Sequence, residues 1–369
     1  MKKPIRVLQF GTGNFGRGGQ STVVFNFGMN IDNEKVIFDY YVDKISDKEY
    51  INIIGKKGGK AFISNFLEKK FFIRVKKFFE INKIIKNYDV IHINTDNAFS
   101  PFVIGILGKI NKVKKIIIHS HNTGSSQEKM KILLHNILKI FLPLIGDEFL
   151  ACSKLAAEWL YPKKYLDKVK IINNGIDVEK YKFNLEKRNQ LRKEMNLENK
   201  FILGHVGRFS DVKNHKFLIE IFNEVQKVEK ESILLLIGNG ELEQKIRKQA
   251  KELNLEEKVI FLGITDKVED YLQIMDIFLL PSKYEGLPIV GIESQASGLK
   301  CFFSKNITEE LRITDLCEFL DINISPKKWA EEILKYKNSY ERKNMVKEIE
   351  KAGYSIKLSV KELESIYLS

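Results

Sequence analysis

Residues 284–298 read YEGLPIVGIESQASG, which sets Glu285 in a loop and Glu293 inside the segment that follows. The run before it, DIFLLPS (276–282), is short and apolar and ends in Pro and Ser, which predicts a buried strand. Pro288 suits the first turn of a helix, where its missing N–H costs nothing, and Gly298 suits the helix end. Two carboxylates thus ride on a strand–loop–helix unit, where they can accept hydrogen bonds from hydroxyl groups. Upstream, GRFSDVKNH (207–215) holds Arg208 and Lys213 across a turn, two cations able to grip a diphosphate from two directions. GNGEL (238–242) is a tight glycine turn beginning at Gly238, and GIT (263–265) places Gly263 and Ile264 after another apolar run. Cations and a helix N-terminus for a diphosphate, with carboxylates for hydroxyls, are the outline of a sugar-nucleotide site.

Parallel strands alternating with helices are needed to bring such loops together. The runs PIRVLQF (4–10), VIFDYYV, DVIHIN (89–94), KIIIHSH (115–121), DEFLACS (147–153) and KVKIINNGI (168–176) supply them in the first half. The pattern restarts at FILGHVGRF (201–209) and continues through ILLLIGNG, KVIFLGI, DIFLLPS and LKCFFS (299–304). Two Rossmann-like domains follow, an N-terminal one over 1–185 and a C-terminal one over 186–350. The end, 351–369, reads as an amphipathic helix expected to pack back on the first domain. In such sheets ligands bind beyond the carboxyl ends of the strands. There the first domain offers GTGNFGRGG, in which Gly18 and Gly19 precede a helix and let a phosphate approach its N-terminus.

Composition narrows the class. The 44% hydrophobic content supports globular cores, and the three cysteines show no CxxC or CxxH spacing, so neither a disulfide framework nor a zinc site is expected. The N-terminus reads as a strand rather than a signal peptide, and 132–146 is too short and polar to span a bilayer, so a cytoplasmic setting is expected. The net charge of +13 is uneven: residues 1–200 carry 36 Lys/Arg against 20 Asp/Glu. A basic first half suits an anionic surface or a phosphorylated substrate.

The segments GRFSDVKN, IGNGELE and FLGITDKVEDYLQIMDIFLLPSKYEGLPIVGIESQASG together resemble a family 4 glycosyltransferase of the GT-B fold. The seven-residue interval between Glu285 and Glu293 is that family's hallmark. GGQSTVVFNF, IHINTDN, KIIIHSHNTG and NNGID extend the likeness through the first half, and KIIIHSHNT with ESQASGLKC resembles bacterial capsular and exopolysaccharide enzymes. The resemblance implies two α/β domains facing each other across a cleft. It implies that Glu293 takes the ribose hydroxyls, that Glu285 lies nearer the transferred sugar, and that Gly286, Leu287, Pro288 and Ile289 line the diphosphate and sugar. Base contacts would come from backbone near Gly263 and Ile264. It also implies retention of configuration by front-face attack, the leaving phosphate taking the acceptor proton. By alignment His121, with Asn122 beside it, is expected to contact sugar or orient the acceptor. His119 is read as pointing to the opposite face of its strand, a weaker acceptor-side residue.

The chain contains no Asp-x-Asp, so Arg208, Lys213 and helix N-termini are expected to do the electrostatic work of a metal, and no cofactor is expected. The expected partners are a nucleotide-sugar donor, UDP-linked by resemblance to the subgroup, and a glycan or lipid-linked acceptor, with no nucleic acid. A nicotinamide-dependent oxidoreductase would leave both pairs of charged residues without a purpose. A noncatalytic partner subunit would not need all four. The segment 66–86, with seven Lys/Arg and two Glu, is expected to turn Leu67, Phe71, Phe72, Val75, Phe78, Phe79 and Ile85 to the core. It would turn Phe66, Ile73 and Ile84, among Lys69, Lys70 and Lys77, to an anionic membrane surface.

Overall fold

The apolar runs become strands of two all-parallel sheets, each in its own unit. The computed structural model describes residues 3–369 apart from 12–13, 16–18, 46–47, 65–70, 123–128 and 338, with the side chains of Asn14 and 71–75 also outside the description. One unit comprises Met1–Gly175 with Ile356–Ser369, and the other Ile176–Ser355. The chain therefore changes unit before the charged stretch that suggested residue 185. Residues 351–369 are not one helix either: Val346–Lys351 ends a helix of the second unit, and Ile356–Leu368 returns to the first. Gly353, with φ of 85°, breaks the helix between them.

In the first unit the strands are β1 (Ile5–Phe10), β2 (Asn14–Phe15), β3 (Val36–Val42), β4 (Lys44–Ile45), β5 (Ala61–Ile63), β6 (Val90–Thr95), β7 (Lys115–Ser120), β8 (Glu148–Ala151) and β9 (Lys170–Ile171). Seven of them form a sheet in the order β5-β3-β1-β6-β7-β8-β9, and β2 pairs with β4 in a separate ribbon. The second unit holds β10 (Phe201–Val206), β11 (Ser232–Ile237), β12 (Val259–Gly263), β13 (Ile277–Leu280), β14 (Lys300–Ser304) and β15 (Cys317–Leu320), ordered β12-β11-β10-β13-β14-β15. The short β5 and β15, at sheet edges, have too few apolar residues to stand out in the sequence.

Both orders start from a central strand, run outward on one side, and then resume on the other. The switch points therefore lie between β1 and β6 and between β10 and β13, where the loops diverge and leave room for a ligand. Alternation along the strands feeds two apolar layers. In the second unit Ile233, Leu235 and Ile237 pack with Phe278 and Ile292 on one face, while Leu234 and Leu236 pack with Leu218, Phe222 and Trp329 on the other.

Beside the second switch point, on the β11 side of β10, the strand ends meet backbone to backbone. Gly238 has φ of 131°, and a Cβ there would lie 2.2 Å from the Gly207 carbonyl oxygen. Gly263 has φ of 81° but open space where a Cβ would stand. Gly238→Ala is therefore expected to cost about 2–4 kcal/mol and Gly263→Ala only about 1 kcal/mol. Denaturant unfolding of both variants checks the order, and equal losses would contradict it.

Candidate functional site

The loops after β10 and β13 are joined by an ion pair across the switch point. Lys213 Nζ lies 2.5 Å from Glu285 Oε1, with side-chain exposures of only 18% and 16%. Ser282 Oγ donates to the same carboxylate oxygen at 3.0 Å. The Lys213 stem lies across Gly207: a Cβ on that glycine would come within 3.3 Å of it. Glu285 is further fixed by a parallel bridge to Ile307. Arg208 stands apart from this pair. Its side chain is 73% exposed and donates to Glu241 on the next loop at 3.0 Å. Gly238 N–H donates to the Gly263 carbonyl at 2.8 Å, linking the ends of β11 and β12, and Ile264 stands exposed beside it.

Pro288 caps the helix Ile289–Ala296 rather than occupying its first turn, with φ −72° and ψ 115°, and its carbonyl accepts from Gly291 N–H. A cap residue needs non-helical ψ, and proline supplies it. Gly298 ends the helix with φ of 69°: its N–H reaches Gln295 O while Leu299 N–H reaches Ser294 O, a Schellman closure. Leu287 and Ile289 pack partly on the core below, and Gly286 is half-buried between Glu285 and them.

Glu293, on this helix, meets a residue that sequence spacing could not nominate. Tyr181 Oη donates to its Oε1 at 2.7 Å from 112 positions away. Burial pushes the Glu293 carboxyl up to about 7, and nearby Glu269 adds to the rise, against the opposing effects of Tyr181 and Lys180.

In the first unit the strand-end histidines form a chain. His119 and His121 have ring centroids 4.1 Å apart, so they share a face instead of opposing each other. Side chains alternate along a strand with period two, and residues two apart therefore project the same way. The Phe10 carbonyl, which can only accept, takes a hydrogen from Asn94 Nδ2 at 3.1 Å. Asn94 Oδ1 must then accept from His121 Nε2 at 2.9 Å, which leaves His121 Nδ1 as an acceptor with no hydrogen-bond partner among the described residues. Gln9 takes the other Asn94 hydrogen and donates to Tyr367 Oη, which donates to His92 Nδ1 at 2.6 Å. His92 Nε2 donates to His119 Nδ1 at 3.2 Å. Burial lowers His121 and His92 to about 3 and His119 well below its ordinary value, so all three rings are neutral near pH 7. Asn122 follows His121 and is half-buried. Gly19 begins the helix Gly19–Asn30, whereas Gly18 lies outside the described residues.

Comparison with known proteins now decides the family. The model for glycosyl transferases group 1 matches residues 186–353, and the model for Glycosyltransferase Family 4 matches residues 17–180. The chain belongs to glycosyltransferase family 4. Similar chains include EpsF of Bacillus subtilis (strain 168), 29% identical over 98% of this glycosyltransferase and 96% of EpsF. The capsular polysaccharide biosynthesis glycosyltransferase CapH of Staphylococcus aureus is 27% identical over 81% and 83% of the two chains. The UDP-Gal:α-D-GlcNAc-diphosphoundecaprenol α-1,3-galactosyltransferase of Escherichia coli is 26% identical over 62% of each. Among solved structures, Anabaena HepE in complex with UDP and glucose superposes with a TM-score of 0.80 at 15% identity, covering 98% of this chain and 99% of that one. The two-domain architecture is that of the GT-B glycosyltransferases.

The glycosyltransferase also has a cavity that motif reading missed. About 770 Å³ opens at the ends of β1 and β3, lined by Phe10, Tyr41, Phe78, Phe79, Phe99 and Val103, with the Lys77–Asp43 ion pair at its wall. Phe78 and Phe79 are thus exposed rather than core residues, and the core side of their helix is carried by Ile81 and Ile85. Ile84, read from sequence as membrane-facing, packs against that core. Phe66, Leu67, Lys69 and Lys70 lie outside the described residues, as do the side chains of Phe71, Phe72, Ile73 and Val75.

The raised Glu293 carboxyl has a stability signature. An acid whose folded pKa exceeds its unfolded value contributes nothing adverse below about pH 4.5 and costs stability as pH rises toward about 7. Glu293→Gln is therefore expected to raise the unfolding temperature near pH 8, by on the order of 1–3 kcal/mol of stability, and to change it little near pH 4. Thermal unfolding at both pH values checks this, and equal effects at the two would refute it.

Proposed function

We propose that this chain transfers a hexosyl group from a UDP-sugar to a lipid-linked sugar acceptor, retaining the donor's anomeric configuration and using no metal ion, in the synthesis of a surface polysaccharide. The observation carrying the reading is the Lys213–Glu285 pair at the switch point of the domain that matches glycosyl transferases group 1, taken here as the donor side. Lys213 is placed there to receive a diphosphate oxygen in exchange for the Glu285 carboxylate. Arg208, 73% exposed and paired with Glu241, can swing to the same charge. Glu293 accepts the ribose hydroxyls, with Tyr181 holding the carboxylate, and Gly263 and Ile264 border the base. The comparisons support the substrates: HepE has been crystallised with UDP-glucose, and the Escherichia coli relative is named for UDP-Gal and a diphosphoundecaprenol acceptor.

In the step itself the bond from sugar C1 to the β-phosphate oxygen breaks as the acceptor oxygen bonds C1 on the same face. The acceptor proton passes to a phosphate oxygen of the departing UDP. Lys213 and Arg208 stabilise the charge that grows on that diphosphate. His121, neutral and fixed as an Nε2–H tautomer, receives a sugar or acceptor hydroxyl at Nδ1 and carries no proton through the step. His119 and Asn122 stand on its acceptor side. The basic, lipid-linked chemistry implies work at an anionic membrane surface, and among the described residues no helix is long and apolar enough to cross a membrane.

Incubation with a panel of nucleotide sugars and a polyprenyl-diphosphate-linked sugar tests the reading. One UDP-sugar should give product with its anomeric configuration kept, as read by NMR, and EDTA should leave the rate unchanged. Transfer only from a GDP-sugar, an inverted product or full dependence on added Mg²⁺ would each overturn the corresponding part. Lys213→Ala and Arg208→Ala should each slow transfer by about 100-fold. Glu293→Gln should weaken UDP binding by about tenfold, the loss of one charge-assisted hydrogen bond, while folding more stably near neutral pH. Unchanged UDP affinity would remove the ribose role.

A further inference from the structure

The helix Lys129–Leu138 and the short helix Leu142–Ile145 are turned inside out relative to an ordinary surface pair. Met130, Leu133, Leu134, Ile137, Ile140 and Leu144 are all exposed, Met130 at 73% and Leu144 at 75%. Met130, Leu133, Leu134 and Ile137 recur at the spacing of one helical face, and Ile140 in the turn and Leu144 on the second helix extend the exposed apolar row. The inner side is what anchors the segment. His135, buried, accepts from Ala98 N–H at Nδ1 and donates to the Trp159 carbonyl from Nε2 at 3.0 Å. Leu142 and Leu138 pack on the core there, and Phe141 meets Phe102 edge to face. The outward stripe is therefore held in place by the fold, and its side chains stand exposed among the described residues. Apolar patches of this size on a soluble surface mark an interaction site.

Charge selects the occupant. Lys129, Lys131 and Lys139 flank the stripe, and residues 129–146 contain no acidic side chain. A second copy packed on it by a two-fold axis would set these lysines against their own images. Large apolar side chains flanked by lysines match the boundary between anionic headgroups and acyl chains, where apolar groups sink in and ammonium groups meet phosphate. We infer that the stripe from Met130 to Leu144 is the surface by which this chain lies on an anionic bilayer. The inference rests on the lipid-linked acceptor proposed above and moves the membrane contact from segment 66–86 to this one.

Vesicle co-sedimentation of the full chain tests it. The parent should pellet with phosphatidylglycerol-containing vesicles, poorly with phosphatidylcholine alone, and less as salt rises, since screening shortens the attraction to about 8 Å at physiological ionic strength. Leu133→Ser/Ile137→Ser/Leu144→Ser should lower vesicle affinity at least about tenfold. It should keep the parent's unfolding temperature, because all three side chains are exposed. Lys77→Glu, on the other segment, should pellet like the parent. Equal pelleting of parent and triple variant, or loss with Lys77→Glu alone, would overturn the assignment. So would a dimer in lipid-free sedimentation that the triple variant abolishes, since a second copy would then own the stripe. Transfer to a short-chain, water-soluble acceptor should be unaffected in the triple variant. If the parent transfers to neither kind of acceptor, the transferase reading fails while the pelleting result still stands or falls by itself.

Discussion

An ion pair with most of its surface removed from water has to be kept whole. Breaking one such pair by removing a single partner leaves the other charge buried alone, at a cost of about 3–5 kcal/mol. Lys213 and Glu285 are under that constraint, and each comes from a loop on a different side of the second unit's switch point. Much of the local architecture serves them. A Cβ on Gly207 would meet His205 Nε2 and then the lysine stem, one on Gly238 would meet the Gly207 backbone, and Ser282 takes up the carboxylate oxygen shared with Lys213. On the proposed reading an incoming diphosphate replaces one half of the pair without leaving the lysine uncompensated at any stage.

Glu293 represents the opposite choice. Its carboxyl is kept in a setting that favours the neutral form, with the Tyr181 hydroxyl donating to it. A residue selected for stability alone would not be an acid there. On the proposed reading the tension between fold and binding is concentrated at this side chain, where the ribose hydroxyls would supply the missing hydrogen bonds.

Most of the strands could be read from sequence because parallel strands buried on both faces are short continuous apolar runs, and the glycine-bearing loops between them carry their own turn chemistry. The positions of Lys213, Arg208 and Glu285 in loops after strands, and of Glu293 on the helix that follows, were legible for the same reason. What was not legible were the partners. Tyr181, Gln9, Asn94 and Tyr367 owe their places to packing between segments up to 358 residues apart, and no local pattern reports that. The helical reading of 66–86 erred at Phe78, Phe79 and Ile84 because a long run of apolar and basic residues fits more than one face assignment at 100° per residue. The neighbouring cavity and the core decide between them. His119 was misjudged on simpler grounds, the period of a strand.

The helix Ile356–Leu368 carries Tyr367 into the centre of the first unit, where it packs against the helix Gly19–Asn30 and β1. The whole of Ile176–Ser355 is therefore an insertion in the sequence of that unit. During synthesis, which proceeds from the N-terminus, the second unit has all of its residues before the first does. The inserted unit has its whole sequence while its host still lacks the Tyr367 that packs on Phe38 and His92. The histidine chain that ends at His121 is thus assembled last, and only in molecules whose second unit has already been made in full.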